Sequence, residues 1–482
     1  MLVLAAFSLL GFFRMARTVA NPSVAAASTL LTAIYPVFFA QSSLAQVDLP
    51  AAGLVFWGLE SYVRRRRVAT VMWFSFAALA KETAILALLA LFLWELICLV
   101  LADCRGTERD GIASREGTAS SRAVTDSNSD GTARLEAVPS RTNNEARIRT
   151  ALPLLLPVLP LALWYAFHYT RTGFVFGNPE FFRYNVQGTL HPLRIFLAML
   201  LRIWQAVGYM NLYILTLACI LAMRYSPNED SRTPRPRIDL SIQASFLAIA
   251  TLYLITLAVI GGAVLARYML PVVPLVILVW VSTVWRRLKP WKWVIGIVAL
   301  AFVSGLFVNP PYGFSPEDNL AYRDYIRLHQ QAESLLQARY PNARVLTAWP
   351  ASDELTQPYL GYVQKPMQVV RIDDFSMEQV LSGADARSRF DVALVFSTKY
   401  QPPHSIFDSW QLWQEWKARY FGFHRDLTPE AAASVLGGDL VYVKYQRGQW
   451  VGIVEMQKIE EASARPRALE SRLADLMPEV VP

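Results

Sequence analysis

The chain has 482 residues, of which 54% are hydrophobic and only 17% are charged, whereas average soluble proteins have roughly 25% charged residues. This composition excludes a purely soluble protein. Charge is also divided along the chain: residues 1–308 carry 28 Lys and Arg against 16 Asp and Glu, and residues 309–482 carry 18 against 22. The net charge of +8 therefore does not describe one basic surface, which argues against a nucleic-acid-binding protein.

Cysteine and histidine are too few and too scattered to indicate a dedicated metal centre. The three cysteines are Cys98, Cys104 and Cys219, and the chain has five histidines. The cysteines form neither a disulfide framework nor a zinc-ligand spacing, and no His/Cys cluster accompanies them. We therefore expect no metal ion and no cofactor.

Ten apolar runs in the first 308 residues are candidate membrane spans. They are 1–13, 24–40, 49–63, 68–80, 84–101, 151–167, about 193–223, 242–262, 269–285 and 291–308. Several are shorter than the ~20 residues that cross a bilayer comfortably, so the weaker ones need tilt or residues from neighbouring loops. The pattern predicts a mainly α-helical, polytopic integral membrane protein with about ten transmembrane helices over residues 1–308.

The distribution of Lys and Arg predicts how these spans are oriented. If ten spans alternate, one set of loops holds fourteen Lys and Arg, and the other set holds four, Lys81, Arg171, Arg183 and Arg267. Since cytoplasmic loops are enriched in Lys and Arg, we expect the N-terminus and everything after the last span to lie outside the cytoplasm. The loop 102–150, with eight arginines, eight acidic residues and few large apolar side chains, is expected to be a disordered cytoplasmic segment.

After about residue 309 the sequence alternates short apolar runs with amphipathic stretches, which indicates a small α/β layer. Helices are expected at 320–339, 352–359 and 375–381, strands at 343–349, 367–372 and 391–396, and a hairpin of 440–445 with 450–456 across a turn at 446–448. The sequence thus predicts a separately folding α/β domain over 309–458 and a tail over 459–482.

Four ionisable residues at predicted outer span ends are candidates for a functional site: Asp48, Lys81, Glu82 and Arg267. An ionisable group at a span end is either an anchor that snorkels to water or part of a site that faces that side. A second outer segment, 168–185, mixes aromatic, amide and cationic side chains. That composition suits contact with a sugar or phosphate, and equally suits an interfacial loop.

Three further charged residues lie inside predicted spans: Glu60, Glu95 and Arg202. Glu60 adjoins the basic run 64–67 and is expected to form an ion pair with it. We expect no catalytic role for any of the three.

Several segments, taken in order, carry a resemblance to a known group of enzymes. They are IYPVFFAQSSLAQVDLPAAGLVFWGLE at 34–60, RRRR at 64–67, AALAKETAILALLALFLWE at 77–95 and GGAVLARYMLPVVPLVIL at 261–278. They resemble the polytopic GT-C glycosyltransferases of the protein mannosyltransferase and aminoarabinose transferase type (glycosyltransferase family 39-like). The last segment is similar to the RY-x-LP-x-x-P element of that group. The resemblance covers roughly residues 1–310.

The resemblance implies an enzyme that moves a sugar from a polyprenyl-phosphate carrier to an acceptor glycan, lipid or protein. The reaction would take place at the outer face of the inner (plasma) membrane, with the C-terminal domain in the periplasm. Its leaving group is a lipid phosphate, whose developing charge fixed cations stabilise. Lys81 and Arg267 match cationic positions of the pattern, and Tyr268 and Glu82 adjoin them as donor-binding residues. We expect Lys81 and Arg267 to approach each other and bind the carrier phosphate, with Glu82 or Asp48 as a balancing carboxylate.

The chain departs from the resembled group at its beginning. Members of the group carry an acidic residue, the expected base, in a long first outer loop after a first helix, and both are absent before the span 1–13. The catalytic base is therefore unassigned, and Asp48 is given only a supporting role.

Two alternatives are a non-catalytic membrane scaffold that presents the outer α/β domain, and a transporter or flippase. A transporter more often shows an internal repeat, and we find none.

Overall fold

A computed structural model of the protein describes residues 1–100, 151–175, 190–227, 235–260, 263–400, 402 and 409–457. The described chain is mainly helical and divides into two compact units, Met1–Val303 and Ser304–Pro482. The boundary predicted after residue 308 lies close to this division. The predicted disordered loop 102–150, most of the segment 168–185 and the predicted tail 459–482 lie outside the described residues.

Twelve helices are described from the start of the chain to residue 307. They are α1 Leu2–Val19, α2 Pro22–Ile34, α3 Pro36–Gln41, α4 Asp48–Val63, α5 Arg67–Ala80, α6 Glu82–Val100, α7 Val158–Thr172, α8 Pro192–Val207, α9 Leu212–Ala222, α10 Leu240–Val259, α11 Val273–Arg287 and α12 Trp291–Phe307. A short 3₁₀ turn, Leu152–Leu155, precedes α7, and another, Ala266–Met269, lies between α10 and α11.

Four of these described helical segments are long and apolar enough to cross a membrane, namely α1, α6, the segment Leu152–Thr172 and α10. The bent pair of α8 and α9 makes a fifth if it counts as one span. The protein therefore has apolar helices that suit a membrane, and the predicted count of ten spans stays a prediction.

Two predicted spans are each split into two helices. The run 24–40 breaks at Tyr35, because the next residue, Pro36, disfavours a helical backbone at the residue before it, and Tyr35 has a ψ of 125°. The run 193–223 breaks between α8 and α9, which are bent by 78°. At this bend Asn211 has a φ of +68°, a left-handed conformation that a right-handed helix does not continue.

The centre of the first unit is α4, which packs against both α1 and α5. The absence of a side chain at Gly53 allows this close approach, since a Cβ there would collide with Ser8 of α1. At the other end of α4, buried Glu60 pairs with Arg64 at 2.7 Å and lies 3.7 Å from Arg14. The predicted ion pair of Glu60 with the basic run is therefore confirmed.

Among its described residues, the second unit has five further α-helices and five strands. They are α13 Ala321–Arg339, β1 Arg344–Thr347, α14 Ala351–Thr356, β2 Gln368–Arg371, α15 Met377–Asp385, β3 Val392–Phe396, α16 Gln411–Phe421, α17 Pro429–Leu436, β4 Gly438–Gln446 and β5 Gln449–Met456. The strands form one mixed sheet in the order β2-β1-β3-β5-β4, in which β1 runs parallel to β2 and β3, and β5 runs antiparallel to β3 and β4. A small sheet domain thus follows the helical unit.

The core of the second unit lies against the sheet. All five residues of β3 are buried, α13 packs on β5, and α17 packs on β4 and β5. The hairpin of β4 and β5 is confirmed, with a correction to its turn: Gln446 pairs with Gln449, so only Arg447 and Gly448 form the loop. Both have positive φ, +47° and +77°, as two-residue hairpin turns require.

Candidate functional site

The candidate site gathers at one end of α4 and α5. α4 begins at Asp48, and a short connection at 64–66 folds α5 back against α4. Lys81 directly follows α5, and its extended backbone (φ −157°, ψ 126°) separates α5 from α6. Arg267 comes from the 3₁₀ turn Ala266–Met269, which packs against α4. Because two antiparallel helices bring the start of one beside the end of the other, residues distant in sequence meet here.

Both cations converge on the same carboxylate. Lys81 Nζ donates a hydrogen bond to Asp48 Oδ1, and Arg267 Nε lies 3.4 Å from Asp48 Oδ2. The three side chains are largely buried, with exposed fractions of 7% for Asp48, 13% for Lys81 and 17% for Arg267. The predicted approach of Lys81 and Arg267 is therefore confirmed, while their binding of a carrier phosphate stays a prediction.

Tyr268 lies among three cations. Lys81 Nζ is 3.9 Å from the centroid of the Tyr268 ring, and the guanidinium carbons of Arg202 and Arg267 are each 5.7 Å from it. A cation near the face of an aromatic ring is attracted by the negative charge of that face. With Asp48 as the paired carboxylate, the group carries more positive than negative charge, and it suits an anionic ligand.

Glu82, the other predicted donor-binding residue, is exposed at the start of α6. Its carboxylate interacts electrostatically with Lys81. Among the described residues around Tyr268, there are three cations and two carboxylates when Glu82 is included. Its predicted role in binding the donor stays a prediction.

Arg202 and Gln205 of α8 fix the segment that leads to Arg267. Arg202 is fully buried and donates to the carbonyls of Leu265, at 2.8 Å, and Ala263, at 3.2 Å. Gln205 Nε2 donates to the carbonyl between them, that of Val264, at 2.9 Å, and its Oε1 accepts a 2.8 Å bond from Arg202. Three successive carbonyls are thus held by one helix face.

Arg202 therefore positions the cationic group, a role that the sequence analysis missed. From the sequence alone, Arg202 is a charged residue inside a predicted span. The signal that could have revealed it is the polar pair Arg202 and Gln205 at i and i+3 in an otherwise apolar helix, because such a pair lies on one face and needs buried partners.

A second buried polar group lies in the second unit. His329 and Glu333 are one turn apart on α13, and Glu354 faces them from α14. His329 Nδ1 is 2.7 Å from Glu354 Oε2 and 3.5 Å from Glu333 Oε1. Their exposed fractions are 1%, 0% and 6%. A histidine and two carboxylates at this distance are a set that can hold a metal ion.

Burial and the facing charged groups together shift the pKa values of this group. Desolvation raises the pKa of Glu333, because it penalises the carboxylate. Desolvation alone would lower the pKa of His329, but the facing carboxylates of Glu333 and Glu354 outweigh it and raise the pKa. The only local signal of this group in the sequence is His and Glu at i and i+4 of one helix, so an expectation based on His/Cys clusters does not reveal it.

No protein-family model matches the chain, and no curated protein matches its sequence.

Proposed function

We propose that this protein is a polytopic membrane glycosyltransferase that moves a sugar from a polyprenyl-phosphate-linked donor to an acceptor. The observation that carries the proposal is the convergence of Lys81 and Arg267 on Asp48, beside Tyr268. Lys81 and Arg267 lie 33 and 219 positions from Asp48 in the sequence, and both match cationic positions of the resembled pattern. An excess of fixed cations in a largely buried group suits a phosphate that gains charge as it leaves.

In the proposed complex, the carrier phosphate binds beside Asp48. Arg267 offers a planar guanidinium with several N–H donors for the phosphate oxygens, whereas Lys81 acts as a point charge. Tyr268 packs between them. Arg202 holds the backbone of 263–265, so the guanidinium of Arg267 is positioned before the donor arrives.

The transfer breaks the bond between the anomeric carbon and the phosphate oxygen, and the phosphate leaves with the electron pair. The acceptor oxygen forms the new bond to the anomeric carbon, and its proton passes to a base. Both oxygens of Asp48 already face cations, which suits this carboxylate to organising the cations. In the resembled group the base is an acidic residue of a first outer loop.

The finer topology belongs to the same proposal. We infer about ten spans, with several built from shorter helices across breaks, and a second unit outside the cytoplasm. Fourteen Lys and Arg in one set of loops against four in the other support this orientation. Single cysteines at Ser127 and at exposed Ser382, in a chain without its native cysteines, are expected to react from opposite sides of the membrane. Labelling of both from one side would contradict the orientation.

The proposed donor site is tested by binding of a polyprenyl phosphate to the purified full chain, with the uncharged polyprenol as the comparison ligand. Lys81→Met and Arg267→Met are the test variants. Lys292→Met, which removes an exposed cation at the start of α12, is the matched control. We expect the phosphate to bind more tightly than the alcohol, and each test variant to lose at least about tenfold in affinity, while the control binds as the unmodified chain does.

Equal binding of the phosphate and the alcohol would overturn the proposal, as would unchanged affinity in both test variants. Arg267→Lys provides a check against misfolding. It keeps the charge but removes the planar fork, so it is expected to bind with intermediate affinity and to keep the stability of the unmodified chain.

The same ion pairs also favour a second candidate, a non-catalytic scaffold in which Asp48 simply neutralises Lys81 and Arg267. In that case the cations have a structural partner and need no ligand. A scaffold is expected to bind neither lipid, and its test variants are expected to lose stability only.

A further inference from the structure

The group formed by His329, Glu333 and Glu354 has the spacing of ligands around one ion. Its candidate ligand atoms all lie within 4.8 Å of one another. Around four-coordinate Zn²⁺, with ligand bonds of roughly 2.0–2.2 Å, neighbouring ligand atoms lie roughly 3.3 Å apart. The 3.5 Å between His329 Nδ1 and Glu333 Oε1 fits this spacing. The 2.7 Å between His329 Nδ1 and Glu354 Oε2 is a hydrogen bond, which an ion would replace with a slightly longer separation.

The two buried carboxyl groups of this cluster share a single histidine. Glu333 is fully buried, and neither of its carboxylate oxygens has a hydrogen bond of good geometry among the described residues. Its Oε1 is nevertheless directed at His329. A single imidazolium can neutralise one carboxylate, so the second buried carboxyl group must either take up a proton or gain a cation. One divalent cation would neutralise both.

The histidine ring is held in place by its neighbours. The ring of Tyr325 is 4.2 Å from the imidazole and that of Phe396 is 4.5 Å from it, both measured between centroids. The imidazole plane is therefore fixed with Nδ1 towards the two carboxylates. Such a fixed orientation lowers the entropic cost of binding an ion.

We propose that His329, Glu333 and Glu354 bind one divalent transition-metal ion, Zn²⁺ or Mn²⁺, which links α13 to α14. An imidazole nitrogen together with carboxylate oxygens favours these ions, whereas Mg²⁺ and Ca²⁺ prefer oxygen ligands alone. A water molecule would complete the coordination. The site lies within the second unit and is independent of the proposed sugar transfer, so either proposal can fail without the other.

The experiment measures metal retained by the full chain in detergent. The protein is stripped with EDTA, incubated with Zn²⁺ or Mn²⁺, desalted and analysed by inductively coupled plasma mass spectrometry, with unfolding temperature as a second readout. Glu333→Gln is the test variant, because it keeps the size of the side chain and removes its charge. Glu378→Gln, at an exposed position in the first turn of α15, is the matched control.

We expect the unmodified chain and Glu378→Gln to retain one ion per chain and to unfold at a higher temperature with the metal. Glu333→Gln is expected to bind at least about tenfold more weakly and to show no such increase. If Glu333→Gln does not fold, His329→Gln tests the same ligand set. Equal metal retention by Glu333→Gln and Glu378→Gln would overturn the site. So would an unmodified chain that retains neither metal, since the group would then be a proton-sharing network.

Discussion

In the first unit one carboxylate, Asp48, faces two cations, whereas in the second unit two carboxylates, Glu333 and Glu354, face one imidazole. Both groups are largely buried, but cations are in excess in the first and carboxyl groups are in excess in the second. The first suits an anionic ligand and the second a cation. Burial alone therefore does not define a site, because the kind of ionisable group in excess decides which partner stabilises it.

The largest effect is expected from removing the single carboxylate of the first group. Asp48→Ala leaves Lys81 and Arg267 facing each other, which is expected to cost about 3–5 kcal/mol in the free energy of unfolding. Glu82→Gln, at the exposed neighbouring position, is the control and should have little effect. Unfolding in mixed micelles measures both. The double variant Asp48→Ala with Lys81→Met is expected to regain part of the loss, and a double variant no more stable than Asp48→Ala would contradict the pairing.

A smaller loss is expected when the positioning residue of the first group is removed. Arg202→Met leaves the partly buried carbonyls of Ala263 and Leu265 without their donor, at a cost of about 1–3 kcal/mol in the free energy of unfolding. Amide hydrogen exchange should become faster across 263–270. Polyprenyl-phosphate affinity should also fall, because Arg202 holds the backbone segment that leads to Arg267. Arg171→Met, at an exposed position, is the control. Unchanged exchange in this segment would show that Arg202 does not hold it.

When no metal is present, removing a carboxylate from the second group is expected to increase stability, whereas removing the carboxylate of the first group decreases it. Glu333→Gln removes one of two buried carboxylates, so in EDTA it is expected to stabilise the second unit by about 1 kcal/mol. With Zn²⁺ the same substitution is expected to destabilise it relative to the unmodified chain. Thermal unfolding in the two conditions measures the change of sign. A change in unfolding temperature of the same sign in EDTA and in Zn²⁺ would contradict this prediction.

The smallest effect is expected at the surface of the second unit, where Asp391 pairs with Arg344 at 2.9 Å. The hydrogen bonds from Arg344 lower the pKa of Asp391. A carboxylate whose pKa is lowered on folding contributes stability above its unfolded pKa, and that stability is lost as the pH falls through the folded pKa. Asp391→Asn should therefore lower the unfolding temperature slightly at pH 7, and the decrease should become smaller as the pH falls through the lowered pKa of Asp391. A decrease that does not change with pH would contradict this ionic contribution.

Much of the helix and strand pattern could be predicted from the sequence. The hydrophobic runs predict α5 and α6 nearly to the residue, and the alternation after residue 309 predicts all five strands. The breaks at Tyr35 and at Asn211 were missed, because an apolar run has the same hydropathy whether it is straight or bent. The proline at Pro36 was the available signal for the first break.

The candidate site was predicted unevenly. The sequence pattern predicts Lys81 and Arg267 as the cations of the site, with Asp48 or Glu82 as a balancing carboxylate. Arg202 and the His329 group were missed, because hydrogen bonds to successive carbonyls and a ligand set across two helices depend on which faces pack together.

By itself, the sequence determined where apolar surface must be buried, which residues carry charge, and that the last third of the chain forms a sheet domain. These properties are local, since they follow from side-chain chemistry and its period along the chain. Only the tertiary structure decided that Asp48 receives both cations and that Glu333 faces His329 without a hydrogen bond of good geometry. Pairing between buried charges depends on separations of a few ångströms between distant segments, and helix packing sets those separations.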